Sequence, residues 1–461
     1  MADVKLSNLS SGVYEQSVKY AKEGTLMQNI DKVVSLAAKD GINNDEEKFL
    51  KGLTSEKNVQ ILKESKSGIK SLNFVGDESE NIPKNENIKN QKTSDIVKNA
   101  ISKISAISVA KILSPEFSHK ELSPEEKNKY KLDDNIKMAK QFGKEGFDSL
   151  LKLPERERAT FSYLYEKVDN STKTDLLNLV KTNTNLLMSK DSINQSLLSN
   201  LYNMSYITKN YSTNEAVDGK NLIKEALNML KDDKNILQGY HGTCGAGALE
   251  NYMRDKAPSE LIRIVSSLAE NNKVTLADGK SKWSMKLPEK SLNYNEYGRN
   301  QFDRIFQSAV MQSVAMVGGD ERSDYLKFDV FKRDYDVDKD DGSPQAVKTG
   351  DSAADPVLLK SLMNRMFKGS KSFEENSDYS ISGKIKNLTE ALKNKDFIAC
   401  YKADGKNGDL FGSRHYVMVT GQGSEGGKNY VYFKNTADPD DNKMEMNEFI
   451  KRLEFTISEK K

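Results

Sequence analysis

The stretch HYVMVTGQGSEGGKNYVYFKNT, residues 415–436, decides how the C-terminal half folds. Residues 416–420 and 430–433 are runs of β-branched and aromatic side chains, which read as strands. The glycine-rich residues 421–427 between them read as the turn of a hairpin. A hairpin brings the start of its first strand beside the end of its second, so His415 is expected next to Asn435. Residues 397–401 and 455–457 supply further strands. Asp355-Pro356 predicts a helix start, with a capping carboxylate followed by proline at the first helical position. Leu359, Leu362, Met363 and Met366 give that helix one apolar face. From about residue 231 onward the chain reads as α+β.

Upstream lies QGYHGTCGAGAL, residues 238–249. Its first glycines permit a tight loop, and Ala248, Leu249, Tyr252 and Met253 continue as a helix to about Asp255. Cys244 therefore falls at a helix N-terminus, where the positive end of the macrodipole favours the thiolate, the reactive form. A histidine at a strand edge is suited to take the thiol proton and return it to a leaving group. An asparagine bonded to that ring would hold its orientation.

The N-terminal half reads as helices. Leu26, Ile30, Val33, Val34 and Ala37 recur at helical spacing, as do Ile101, Ile104, Ile107, Val109 and Ile112, and then Leu176, Leu177, Leu179, Leu186 and Leu187. The expected organisation is a helical segment over 1–65, a polar linker over 66–95, a helical bundle over 96–230 and an α+β domain over 231–461. Lys plus Arg number 70 against 68 Asp plus Glu, so the basic excess of a nucleic-acid binder is missing. No apolar run approaches the roughly 18 residues of a membrane span. The opening residues Met1-Ala2-Asp3-Val4-Lys5 lack the basic-then-apolar pattern of a secretory signal, which predicts a chain cytoplasmic as synthesised, with any export by another route. Only two cysteines occur, Cys244 and Cys400, too few for a disulfide scaffold.

These residues resemble the papain-like cysteine peptidases, a pattern shared by calpain-type and bacterial members of that superfamily. The resemblance covers residues 236–458. It implies a papain-like domain in which a helix carries the cysteine and an antiparallel sheet carries the histidine and asparagine. It assigns the nucleophile to Cys244, the general base to His415, the orienting residue to Asn435 and an oxyanion donor to Gln238, with Asp438 as the alternative orienting residue. The implied reaction is hydrolysis of a polypeptide through a thioester, without cofactor. The same groups would serve a deamidase or acyltransferase of a partner protein, and a degenerate, non-catalytic interaction protein is the third reading. Two departures stand out: Gly245 occupies a position usually held by tryptophan, and no tryptophan follows Asn435. The N-terminal helices would act as an inhibitory segment, a targeting module or a surface for a protein partner.

Other signals are weaker. His241, Cys244, Cys400 and His415 are four zinc-ligand types, but the H-x-x-C spacing matches no strong zinc signature. Asp334, Asp336, Asp338, Asp340 and Asp341 lack the glycine and glutamate positions of an EF-hand and read as a solvated acidic loop. His119 reads as a surface residue and Cys400 as a buried strand thiol.

Overall fold

The computed structural model describes residues 2–65, 71–74, 124–211, 215–238, 243–284, 300–314, 354–367, 372–403 and 414–460. The expected stripe at 101–112, most of the 66–95 linker, His119, His241 and the acidic residues 334–341 lie outside the described residues. The fold is α+β, and the chain divides into two compact units. One comprises Met1–Glu166 and Thr174–Thr184, the other Lys167–Lys173 and Asn185–Lys461. The division thus falls between residues 166 and 185, upstream of the position near 231 at which the sequence texture changes. Among the described residues, no helix is long and apolar enough to cross a membrane.

The first unit is helical apart from strands β1 (Ala2–Lys5) and β2 (Ser71–Phe74), which pair antiparallel. Ile30, Val33, Val34 and Ala37 line one face of the helix Ile30–Ala37, are fully buried, and pack toward the helix Pro124–Leu150. Helix Asn44–Gly52 starts at a capping box. Asn43 accepts from the Glu46 amide, and Glu46 accepts from the Asn43 amide and from Ser10. Gly143 bends the long helix, at φ 64°, a left-handed value that glycine adopts without a Cβ penalty.

In the second unit, β3 (Thr208–Tyr211) pairs with β4 (Glu215–Asp218), and β5 (Lys273–Thr275) with β6 (Lys282–Ser284). The main sheet has six antiparallel strands in the order β11-β10-β9-β8-β12-β7. They are β7 (Phe373–Ser377), β8 (Phe397–Lys402), β9 (Arg414–Glu425), β10 (Lys428–Lys434), β11 (Lys443–Glu445) and β12 (Leu453–Glu459). The expected glycine-rich turn is shorter than the sequence suggests. Residues 421–425 continue β9, and only Gly426 and Gly427, with φ 57° and 80°, make the reversal. Two successive left-handed residues match the twist of a tight hairpin.

Alternation along these strands buries both faces of the sheet. Phe397, Ala399, Tyr401, Val417, Val419, Val431 and Phe433 form one core with Leu388, Ala391 and Phe449 from the helices Ile381–Leu392 and Met446–Arg452. The helix Cys244–Lys256 packs against β9. Helices Pro258–Asn271, Gln301–Val314 and Pro356–Met366 complete that layer, the last with Asp355 accepting from the Val357 and Leu358 amides. The helices Leu197–Met204 and Gly219–Lys231, expected in a separate bundle, pack in this same unit against Pro258–Asn271 and Gln301–Val314.

Candidate functional site

Cys244 is the first residue of its helix, as the glycine-rich approach predicts, and is 5% exposed. The helix comes this close to the sheet because two of the four residues in its first turn, Gly245 and Gly247, are glycines. A Cβ on Gly245 would lie 2.6 Å from Ala354 Cβ and 3.6 Å from the Tyr416 ring. A Cβ on Gly247 would lie 2.7 Å from Thr436 Oγ1. The space where a tryptophan would follow the cysteine is thus already filled by Ala354 and Tyr416. Tyr416 is fixed there by donating its hydroxyl to the Ala354 carbonyl.

The Cys244 Sγ lies 4.0 Å from the Arg414 carbonyl oxygen, at the residue preceding His415. His415 is half-buried, paired with Tyr401 across β8 and β9, and the two rings meet edge to face at 5.5 Å. Its Nε2 is 2.9 Å from Asn435 Oδ1. The amides of Ala437 and Asp438 also donate to Oδ1, at 3.0 and 3.4 Å, so this atom is an acceptor, and the amide orientation follows from the backbone. Nε2 must therefore carry the hydrogen in neutral His415, which leaves the lone pair on Nδ1. Asn435 Nδ2 in turn faces Asp441 Oδ2 at 3.4 Å. Asp438, the alternative orienting residue, is exposed, and its carboxylate accepts from the Asp440 amide.

Gln238 is buried and tied to the residue after Asn435 twice over. Its amide N–H donates to the Thr436 carbonyl at 3.0 Å, and its Oε1 accepts from Thr436 Oγ1 at 2.9 Å. That second bond turns the carbonyl end of the Gln238 side chain toward Thr436, so its NH2 end is the one directed elsewhere. Gln238, Cys244, His415 and Asn435 are thus gathered through Thr436, Gly247 and Arg414. None of these three connecting residues stood out in the sequence. Cys400 lies fully buried in β8 opposite Tyr416, and burial pushes both its thiol and the Tyr416 hydroxyl well above their ordinary ranges. A zinc site using His241 cannot be located, because that residue lies outside the described ones. Among the described residues no group of three or more His, Cys, Asp or Glu side chains is arranged to hold a metal ion.

The arrangement brings a thiol at a helix start, an imidazole with a defined tautomer and a buried primary amide to the start of β9 and the end of β10. Such a set can form and discharge a thioester. Comparison with protein-family models, with curated proteins and with solved structures finds no match to this chain.

Proposed function

We propose that the protein is a papain-like cysteine peptidase acting through Cys244, His415, Asn435 and Gln238. The observation that carries the reading is the His415–Asn435 hydrogen bond, in which backbone donors from Ala437 and Asp438 orient the asparagine. An imidazole held in one tautomer has its lone pair on one nitrogen only, as a general base requires. In the forward step the Cys244 S–H proton passes to His415 Nδ1. The sulfur bonds to the substrate carbonyl carbon, and the carbonyl π pair moves onto oxygen. The helix-start amide of Cys244 and the Gln238 NH2 group are the donors for that oxyanion. Collapse breaks the C–N bond, and the departing amine takes the proton from His415. Water then attacks the thioester carbon, giving one proton to His415; the C–S bond breaks, the acid departs with the other proton, and His415 returns its proton to the sulfur. The departure at Gly245 is accounted for by its packing against Ala354 and Tyr416.

The test is alkylation of the native protein with iodoacetamide at neutral pH. Labelling should be confined to Cys244, absent in Cys244→Ala, and slowed in His415→Ala. Labelling at the rate of an ordinary thiol, unchanged by His415→Ala, would refute the proposal. Peptide cleavage against ammonia release, measured on the same preparation, separates a peptidase from a deamidase.

A further inference from the structure

Helix Gln301–Val314 carries Asp303 and Gln307 one turn apart, both fully buried in company with Phe302, Ile305 and Phe306. Their hydrogen bonds go to the segment that bears the candidate site. Gln307 Oε1 accepts from Thr243 Oγ1 at 3.0 Å, and Gln307 Nε2 donates to the Leu237 carbonyl at 3.1 Å and to Glu250 at 2.9 Å. Asp303 accepts from the Leu237 amide at 3.3 Å. One side chain therefore grips the residue before Gln238 and the residue before Cys244. Thr243 is also the N-cap residue of the Cys244 helix. A threonine there ordinarily turns its oxygen onto the amides of the first turn. Here the hydroxyl goes to Gln307 instead, and no side chain of Thr243 caps the helix.

We propose that Gln307 is a positioning residue that fixes the separation of Gln238 from Cys244 and keeps the first amides of the Cys244 helix open for an oxyanion. The proposal rests on the acyl-transfer reading of the site. Donors to a developing oxyanion act only when already in place, so a clamp acting through Leu237 and Thr243 governs transition-state binding without touching substrate.

Two probes separate this role from a general structural one. Iodoacetamide alkylates the thiolate at a saturated carbon, displacing iodide, and develops no oxyanion. A peptide aldehyde accepts the sulfur at its carbonyl carbon, and its oxygen takes up the electron pair and then a proton from His415. That oxygen needs the donors. Gln307→Met keeps volume without the amide, and Thr243→Val keeps shape without the hydroxyl. In both, iodoacetamide labelling of Cys244 should stay within about twofold of the native rate while peptide-aldehyde affinity falls roughly 10- to 100-fold, the scale set by a misplaced catalytic geometry. If Gln307→Met fails to fold, Thr243→Val decides alone. Parallel loss with both probes, or no loss with either, would overturn the clamp. Slow labelling of the native protein itself would overturn the acyl-transfer reading, and the clamp with it.

Discussion

Replacing Gly247 with alanine pits helix propensity against packing at one position. Propensity alone favours alanine inside a helix by about 0.5–1 kcal/mol. The added Cβ, however, would stand 2.7 Å from Thr436 Oγ1, 2.9 Å from its Cγ2 and 3.0 Å from its Cβ. Thr436 is 2% exposed and is bonded to Gln238 through both its carbonyl and its hydroxyl, so it cannot swing aside alone. Overpacking of this kind costs about 1–3 kcal/mol, and losing the Thr436–Gln238 side-chain bond adds about 1 kcal/mol. The net expectation is a protein about 1–3 kcal/mol less stable than the native one, with propensity outweighed. Urea unfolding followed through Trp283 measures this directly. It is the only tryptophan, 2% exposed, and it lies in the same compact unit. A transition midpoint at or above the native one would show that Thr436 yields freely, and the account of how the helix meets the sheet would be wrong.

Nitrogen-15 NMR of the imidazoles tests the tautomer of His415, with His119→Gln and His241→Gln to assign its signal. Asn435→Ala should weaken the preference for the Nε2–H form about fivefold, the worth of one hydrogen bond, and unchanged spectra would contradict the assignment. Trp283 Nε1 donates to Ser313 Oγ at 2.6 Å in the interior, so Ser313→Ala should cost about 1–3 kcal/mol in calorimetric unfolding by leaving the indole N–H unpaired. Asp169, bonded by the Thr172 amide and the Ser171 hydroxyl, titrates down at about 2. Its folded value lies below the unfolded one of about 3.9. The stability it contributes is therefore complete above pH ~4 and disappears as pH falls through ~2, and solvent screening at this exposed position holds it below about 1 kcal/mol. Acid titrations of native protein and Asp169→Ala should therefore converge at the low end of that window, and a constant difference would rule the linkage out.

Four of the six strands of the main sheet, β8, β9, β10 and β12, were legible as runs of β-branched and aromatic residues, whereas the polar β7 and the three-residue β11 carried no such signal. The helix at Pro356 was legible because its cap is local, and so was the start of the Cys244 helix, because glycines precede it. Asn435 could be placed near His415 from the hairpin alone. What could not be read is whatever depends on a partner distant in sequence. The occupation of the space beside Gly245 depends on Ala354 and Tyr416, and nothing near the cysteine announces either. Gln307 is hidden in a helix whose neighbouring residues are nearly all buried, so periodicity gives no polar face on which to notice it. The helices before residue 231 have amphipathic patterns that predict a bundle, and a pattern does not say which partner it will meet. In the structure Glu225 accepts from the Phe302 amide at 2.9 Å, which binds the helix Gly219–Lys231 to a segment far downstream.

The pairing of Gln238 with Thr436 spans 198 residues. On a ribosome adding about 5–20 residues per second, roughly 10–40 s separate the making of one from the making of the other. For most of that interval the nascent chain already holds its cysteine, but lacks the histidine, the asparagine and the threonine that seats the glutamine. Connectivity alone therefore defers assembly of the site until the last strands have joined the sheet.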